Sequence, residues 1–157
     1  IASVIYDPLL DRLAFAEKGK GAYPNGKPIS VSANPNLQHC LIAFFTWPKA
    51  KFQLMGVIAP LVAKGVIDLR VPSVGNLDCL LASGQFGAII FGGTTPCDSA
   101  ASSLIIEEAG GKVTDMYGKP ITDFRKETEG RIATNGLIHD EIVAVVGEHM
   151  RLNTQLA

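Results

Sequence analysis

"TTPCDSAASSLIIEEAGG", residues 94–111, is the stretch on which the reading of this chain turns. It has the grammar of one helix. Pro96 suits a first helical position, Thr95 before it suits the N-cap, an apolar run follows, and Gly110-Gly111 supplies the stop. The spacing predicts a helix over 96–109 with a single acid, Asp98, just inside its start. Two explanations of that acid are open from position alone. In one, Asp98 completes a T-x-x-D capping box with Thr95 and favours the positive end of the helix. In the other it is a metal ligand whose partners lie elsewhere in the sequence.

Working outward, short apolar runs predict strands at 1–6, 13–17, 39–45, 67–71, 86–91 and 130–134. Helices are predicted at 49–64, opened by Pro48 and closed by Gly65, and at 75–83, 96–109 and 137–149. The early strands are joined by "EKGKGAYPNGKPI", whose glycines and Asn25-Gly26 mark tight turns. Residues 1–31 therefore read as an antiparallel meander, and the remainder as α-β alternation. The expected fold is a mixed, layered α/β sheet with helices on both faces, as one domain over 1–157 with the meander at its side.

Bulk properties narrow the function classes. A 157-residue chain that is 47% hydrophobic can bury a substantial core, so disorder is not expected. A net charge of -1 gives no general attraction to phosphate backbones or anionic lipid, which argues against a nucleic-acid or membrane-surface partner. The most apolar run, "LMGVIAPLVA" at 54–63, is too short to span a bilayer. Cys40, Cys79 and Cys97 are odd in number and widely spaced, so a reducing cytoplasmic setting is expected and a zinc site is not. His39, His139 and His149 have no metal-ligand spacing and read as surface or cap residues. A strand-like run beginning at Ile1, without a methionine or a leader, is the pattern of a processed, recloned or incomplete sequence.

Four segments, in order along nearly the whole chain, carry a resemblance. "VIYDPLLDRLAFAEKGKGAYPNGKPISVS" (4–32), "SVGNLDCLLASGQ" (73–85), "PCDSAASSLIIEEAGGKVTD" (96–115) and "ATNGLIHDEIVAVV" (133–146) resemble the G-x-G-A turn, a central helix, the W-D-x-A-A…E-A-G-G signature and the closing strand and helix of the inositol monophosphatase family. The resemblance implies a Mg2+-dependent, lithium-sensitive phosphomonoesterase, a homodimer acting on inositol phosphates, sugar bisphosphates or nucleotide 3'-phosphates. Clustered carboxylates in such enzymes hold two or three Mg2+ ions. Most of these ligands come from an upstream half, through paired glutamates and a D-P-[IL]-D-G-T loop. The signature aspartate, Asp98 here, completes the second metal site, and this role need not exclude capping.

The sequence departs from that pattern in several places. It has no D-P-[IL]-D-G-T; "DPLLD" at 7–11 lacks the Gly-Thr, and its flanks match the later strand and turn. The chain thus corresponds to the C-terminal half of the family, with one Mg2+ ligand and no complete catalytic set of its own. Cys97 replaces the signature tryptophan and reads equally as a small buried filler or a reactive thiol. Phe91 stands where inositol-cleaving relatives place an acid, and the neighbouring substrate-facing segment is Gly75, Asn76 and Leu77, with only Asn76 offering a polar side chain. Glu107, Glu108 and Asp115 read as structural, and Lys119, Arg125, Lys126 and Glu129 as an exposed loop. Three functions follow: part of an active phosphatase for a small-molecule phosphate ester, a catalytically degenerate fold or dimer partner, or a small-molecule binding module.

Overall fold

The computed structural model describes residues 1–47, 50–93, 95–125 and 130–153. Five strands form one sheet in the order β5-β4-β6-β8-β7, and three more form a separate antiparallel sheet, β1-β2-β3. β1 (Ala2–Asp7), β2 (Arg12–Glu17) and β3 (Gly21–Pro24) are the meander. β4 (Leu41–Phe45), β5 (Ile67–Leu69) and β6 (Ala88–Phe91) run parallel, while β8 (Arg131–Thr134) pairs antiparallel with both β6 and β7 (Lys112–Thr114). The helices are α1 (Met55–Ala63), α2 (Val74–Ala82), α3 (Pro96–Glu108) and α4 (His139–Asn153).

The period-two alternation of the buried strands divides the core into two layers. Ile42, Phe44, Ala88, Ile90 and Ile132 point to one face and pack with Val57, Ile58 and Leu61 of α1 and Ile142, Val145 and Val146 of α4. Ala43, Ile89, Phe91 and Ala133 point to the other, against Leu77 and Leu81 of α2 and Ile105 and Ile106 of α3. The expected layered α/β sheet with helices on both faces is therefore present. The three-stranded sheet does not extend the five-stranded one. Its inner side carries Ala14, Ala16 and Ala22, side chains small enough for α3 to lie close beneath it.

Differences from the sequence reading are local. α1 begins at Met55, several residues later than expected, and the proposed start at Pro48 lies outside the described residues. Leu54 at its N-cap makes no side-chain cap hydrogen bond, so no Ser, Thr or Asp signals the start. β3 and β7 were not anticipated: each is short, and both sit directly against glycine turns.

Parallel strands direct the chain ends that matter. The segments leaving the carboxyl ends of β4, β5 and β6 are Thr46–Trp47, the Ser73 turn into α2, and Gly92 onward into α3. Ligands in α/β sheets bind in the crevice outside such ends. At Gly92 a Cβ would collide with the backbone oxygen of Phe52, so only glycine lets the chain turn here from β6 toward α3.

Candidate active-site edge

Asp98 projects from the first turn of α3 and is exposed. Thr95 occupies the N-cap position in extended conformation, φ −81° and ψ 158°, but its hydroxyl caps no backbone N–H. Instead Oγ1 donates to Asp98 Oδ2 at 2.5 Å. Since that proton is committed, the 3.0 Å contact between Thr95 Oγ1 and Cys97 Sγ has the thiol as donor. The capping role expected for the Thr95 hydroxyl is thus replaced by an orienting role on the carboxylate. Cys97 is exposed rather than a buried filler.

Beneath Asp98 lies a buried ion pair that the sequence reading missed. Arg131, at the start of β8, donates through Nη2 to both oxygens of Asp78 on α2, at 2.6 and 2.7 Å, and both side chains are 0% exposed. Its Nη1 donates to Ser102 Oγ at 2.8 Å, and the Ser102 hydroxyl donates to the backbone carbonyl of Asp98 at 2.9 Å. The guanidinium stacks over Phe91, 4.9 Å from the ring centre. Burial pushes the Asp78 carboxyl up, the Arg131 guanidinium and the Ser102 hydroxyl pull it down, and the charge of Asp98 adds to the upward push. A signal existed in the sequence: one acid inside the apolar "VGNLDCLLA" and one base opening the apolar "RIAT".

Two substrate-facing expectations are corrected. Phe91 is 0% exposed, edge-on to Phe45 and under the Arg131 guanidinium, so it is a packing residue. Leu77 is buried in the core between α2 and the sheets. Gly75 and Asn76 do reach the surface. They line a cleft of about 420 Å³ with Ser73, Cys79 and the β1-β2 hairpin residues Ile5, Tyr6, Asp7, Pro8, Leu9 and Arg12.

Of the other polar residues, Glu108 and Asp115 organise turns. Glu108 accepts the backbone N–H groups of Gly19 and Gly21, both at 2.8 Å, which ties the first glycine turn to the end of α3 and holds its carboxyl below the usual range. Glu107 is exposed. Asp115 accepts the N–H groups of Tyr117 and Lys119, forming the turn after β7. Arg125 pairs with Asp123, Lys119 is exposed, and Lys126 and Glu129 lie outside the described residues.

His139 departs from the expected surface role: it is 1% exposed. Thr114 Oγ1 gives its proton to the carbonyl of Asp115, so at 3.1 Å it must accept from His139 Nε2–H. His139 Nδ1 then accepts from Thr134 Oγ1 at 3.0 Å, while Thr134 Oγ1 accepts the N–H of Gly136. Burial, with help from the Lys112 charge, lowers the imidazole to about 4.

An oxygen ligand such as Asp98 suits a hard cation, yet among the described residues no group of three or more His, Cys, Asp or Glu side chains could hold a metal. One carboxylate fits; a complete coordination set is not formed by these residues. Among the described residues, no helix is long and apolar enough to cross a membrane.

Residues 1–151 match the sequence profile of the inositol monophosphatase family. A "Fructose-1,6-bisphosphatase/inositol-1-monophosphatase" of Thermotoga maritima is 34% identical over 146 residues, covering 92% of this chain and 54% of that protein. A protein of the same description from Aquifex aeolicus is 30% identical over 97% of this chain and 56% of its own length. The solved Thermotoga maritima IMPase superposes with a TM-score of 0.84 at 31% identity, over 96% of this chain and 57% of the other. The chain spans about half the length of the curated relatives it matches.

Proposed function

The chain belongs to the inositol monophosphatase family, and on that premise we propose that residues 1–157 are the C-terminal part of a Mg2+-dependent phosphomonoesterase acting on a small phosphorylated polyol, sugar or nucleotide. The observation that carries this reading is the exposed Asp98 carboxylate, oriented by Thr95 at the carboxyl edge of the parallel strands. Family members are generally Mg2+-dependent, and Asp98 is the residue here that would contribute to holding the ion. Mg2+ at that place supplies charge neutralisation on the phosphoryl group and an acidified water.

This chain's own residues contribute orientation and shape. Thr95 fixes one oxygen, Oδ2, of the exposed Asp98 carboxylate. Gly75 and Asn76 open the start of α2 to the cleft, where the Asn76 amide can both donate to and accept from a hydroxylated or heterocyclic substrate. The homodimer and the cytoplasmic setting belong to the same proposal, and free thiols at Cys40, Cys79 and Cys97 support a reducing compartment.

A second reading, a catalytically degenerate member serving as a structural, dimerisation or small-molecule binding module, is favoured by the complete burial of Phe91 at the position of the family's substrate-facing acid. Phosphate release by the full product of the reading frame that contains these residues separates the two. Hydrolysis that requires Mg2+ and is inhibited by Li+ is expected on inositol monophosphate, fructose 1,6-bisphosphate or a nucleotide 3'-phosphate. A folded protein inert toward all three would favour the degenerate reading.

A further inference from the structure

Among the described residues Arg131 is the largest side chain that the fold buries completely, and one of its connections leads to the helix start that carries Asp98. It stands directly across the sheet ladder from Phe91, whose ring supports the guanidinium. From there one nitrogen grips Asp78 on α2 and another grips Ser102 on α3, whose hydroxyl reaches the carbonyl of Asp98. A single side chain thereby joins β8, β6, α2 and the first turn of α3.

Stability alone does not account for this arrangement. Buried ion pairs are often matched or exceeded by apolar residues of similar volume, because two charges lose their hydration. Arg131 Nε is also buried without a hydrogen-bond partner, an added cost. The ion pair does supply direction, since a guanidinium meets both oxygens of a carboxylate in a narrow range of orientations. Direction is what apolar packing does not give the first two turns of α3. Its buried face over the first two turns is Ser99, Ser102 and Ser103, small side chains that resist sliding or rotation weakly.

We propose that Arg131, with Asp78 and Ser102, is a positioning residue that fixes the first turn of α3, and so the direction of the Asp98 carboxylate, without itself touching metal or substrate. The proposal rests on the reading of Asp98 as a Mg2+ ligand. Outer partners of metal ligands commonly change metal affinity by about 10- to 100-fold when removed.

The test uses the full-length protein, with Mg2+ affinity by titration calorimetry beside thermal melting. The double variant Asp78→Leu/Arg131→Met removes both charges together. It is expected to melt close to the parent while binding Mg2+ about tenfold or more weakly. Ser102→Ala, which removes the hydroxyl that joins Arg131 Nη1 to the Asp98 carbonyl and keeps the Asp78–Arg131 pair, is expected to weaken Mg2+ in the same direction. In an Asp98→Asn background Ser102→Ala should have no further effect on Mg2+ affinity, an outcome that general loosening of the fold would not give. Parental Mg2+ affinity in a folded double variant overturns the positioning role. If the double variant does not fold, parental affinity in Ser102→Ala overturns it instead. A parent protein with no Mg2+ response at all overturns the metal reading, and this proposal with it.

Discussion

The Thr95 hydroxyl donates to the Asp98 carboxylate at 2.5 Å and leaves the helix N-terminus without a side-chain cap. Replacing an N-cap threonine normally costs about 1 kcal/mol because a backbone N–H loses its partner. No such bond exists here, so Thr95→Val, which keeps the branched shape, should change the unfolding free energy by well under about 1 kcal/mol. Urea unfolding of parent and variant measures this. A loss typical of a cap would mean that the hydroxyl serves the backbone in solution.

The Asp78–Arg131 pair predicts a strong asymmetry between single and double substitution. Asp78→Ala leaves a fully buried guanidinium without its counter-charge, which should cost about 3–5 kcal/mol. In a domain of this size that lowers the melting temperature by roughly 6 to 20 °C. Asp78→Leu/Arg131→Met should recover most of the loss. A single variant that melts with the parent would contradict the burial of this pair.

His139 sets a pH dependence whose sign follows from its hydrogen bonds. Its folded value, about 4, lies below the ordinary histidine value near 6.5. Between those values the unfolded chain binds a proton that the native state refuses. The stabilisation is therefore complete above about pH 6.5 and is lost as pH falls toward 4, by roughly 3 kcal/mol at the lower end. Protonating Nδ1 would also turn a donor toward the Thr134 hydroxyl that now donates to it. Unfolding free energies at pH 7.5 and 4.5 should differ less in His139→Gln than in the parent. Equal differences would show that the imidazole is not held neutral.

The bounds of α3 were legible because Pro96 and Gly110-Gly111 punctuate both of its ends, and the structure gives Pro96–Glu108 against an expected 96–109. The unbroken apolar runs "IAFF" and "AIIF" were likewise legible as strands suited to burial on both faces, and the folded chain buries both. Long-range polar matches were not legible in the same way. Asp78 and Arg131 are 53 residues apart, and only the packing of α2 against the sheet brings them together. Phe91 illustrates the opposite case: its place in the sequence suggested a substrate-facing residue, but an aromatic side chain at that strand end gains more by turning into the core. For α1, the absence of any cap side chain at Leu54 left nothing in the sequence to mark where the helix begins.

Residues 1–157 purified alone should show negligible Mg2+-dependent phosphatase turnover and only weak divalent binding. Hard cations require several oxygen ligands, and the described residues offer no cluster of three or more metal-ligating side chains. Phosphate release and Mg2+ calorimetry on this chain check the expectation. Robust, Li+-inhibited hydrolysis would contradict it.

The most direct test of the account is a Mg2+ titration of steady-state rates for the full-length parent and Asp98→Asn, run beside thermal melts of both. Asparagine keeps the oxygen that accepts from Thr95 but lacks the charge that a hard cation favours. The account predicts unfolding free energies within about 1 kcal/mol of each other, the usual scale of one helix-end interaction, and a rate that falls by orders of magnitude in the variant across the titration. Unchanged turnover with an unchanged Mg2+ dependence in Asp98→Asn would contradict the metal role and leave the helix start as the whole explanation of this residue.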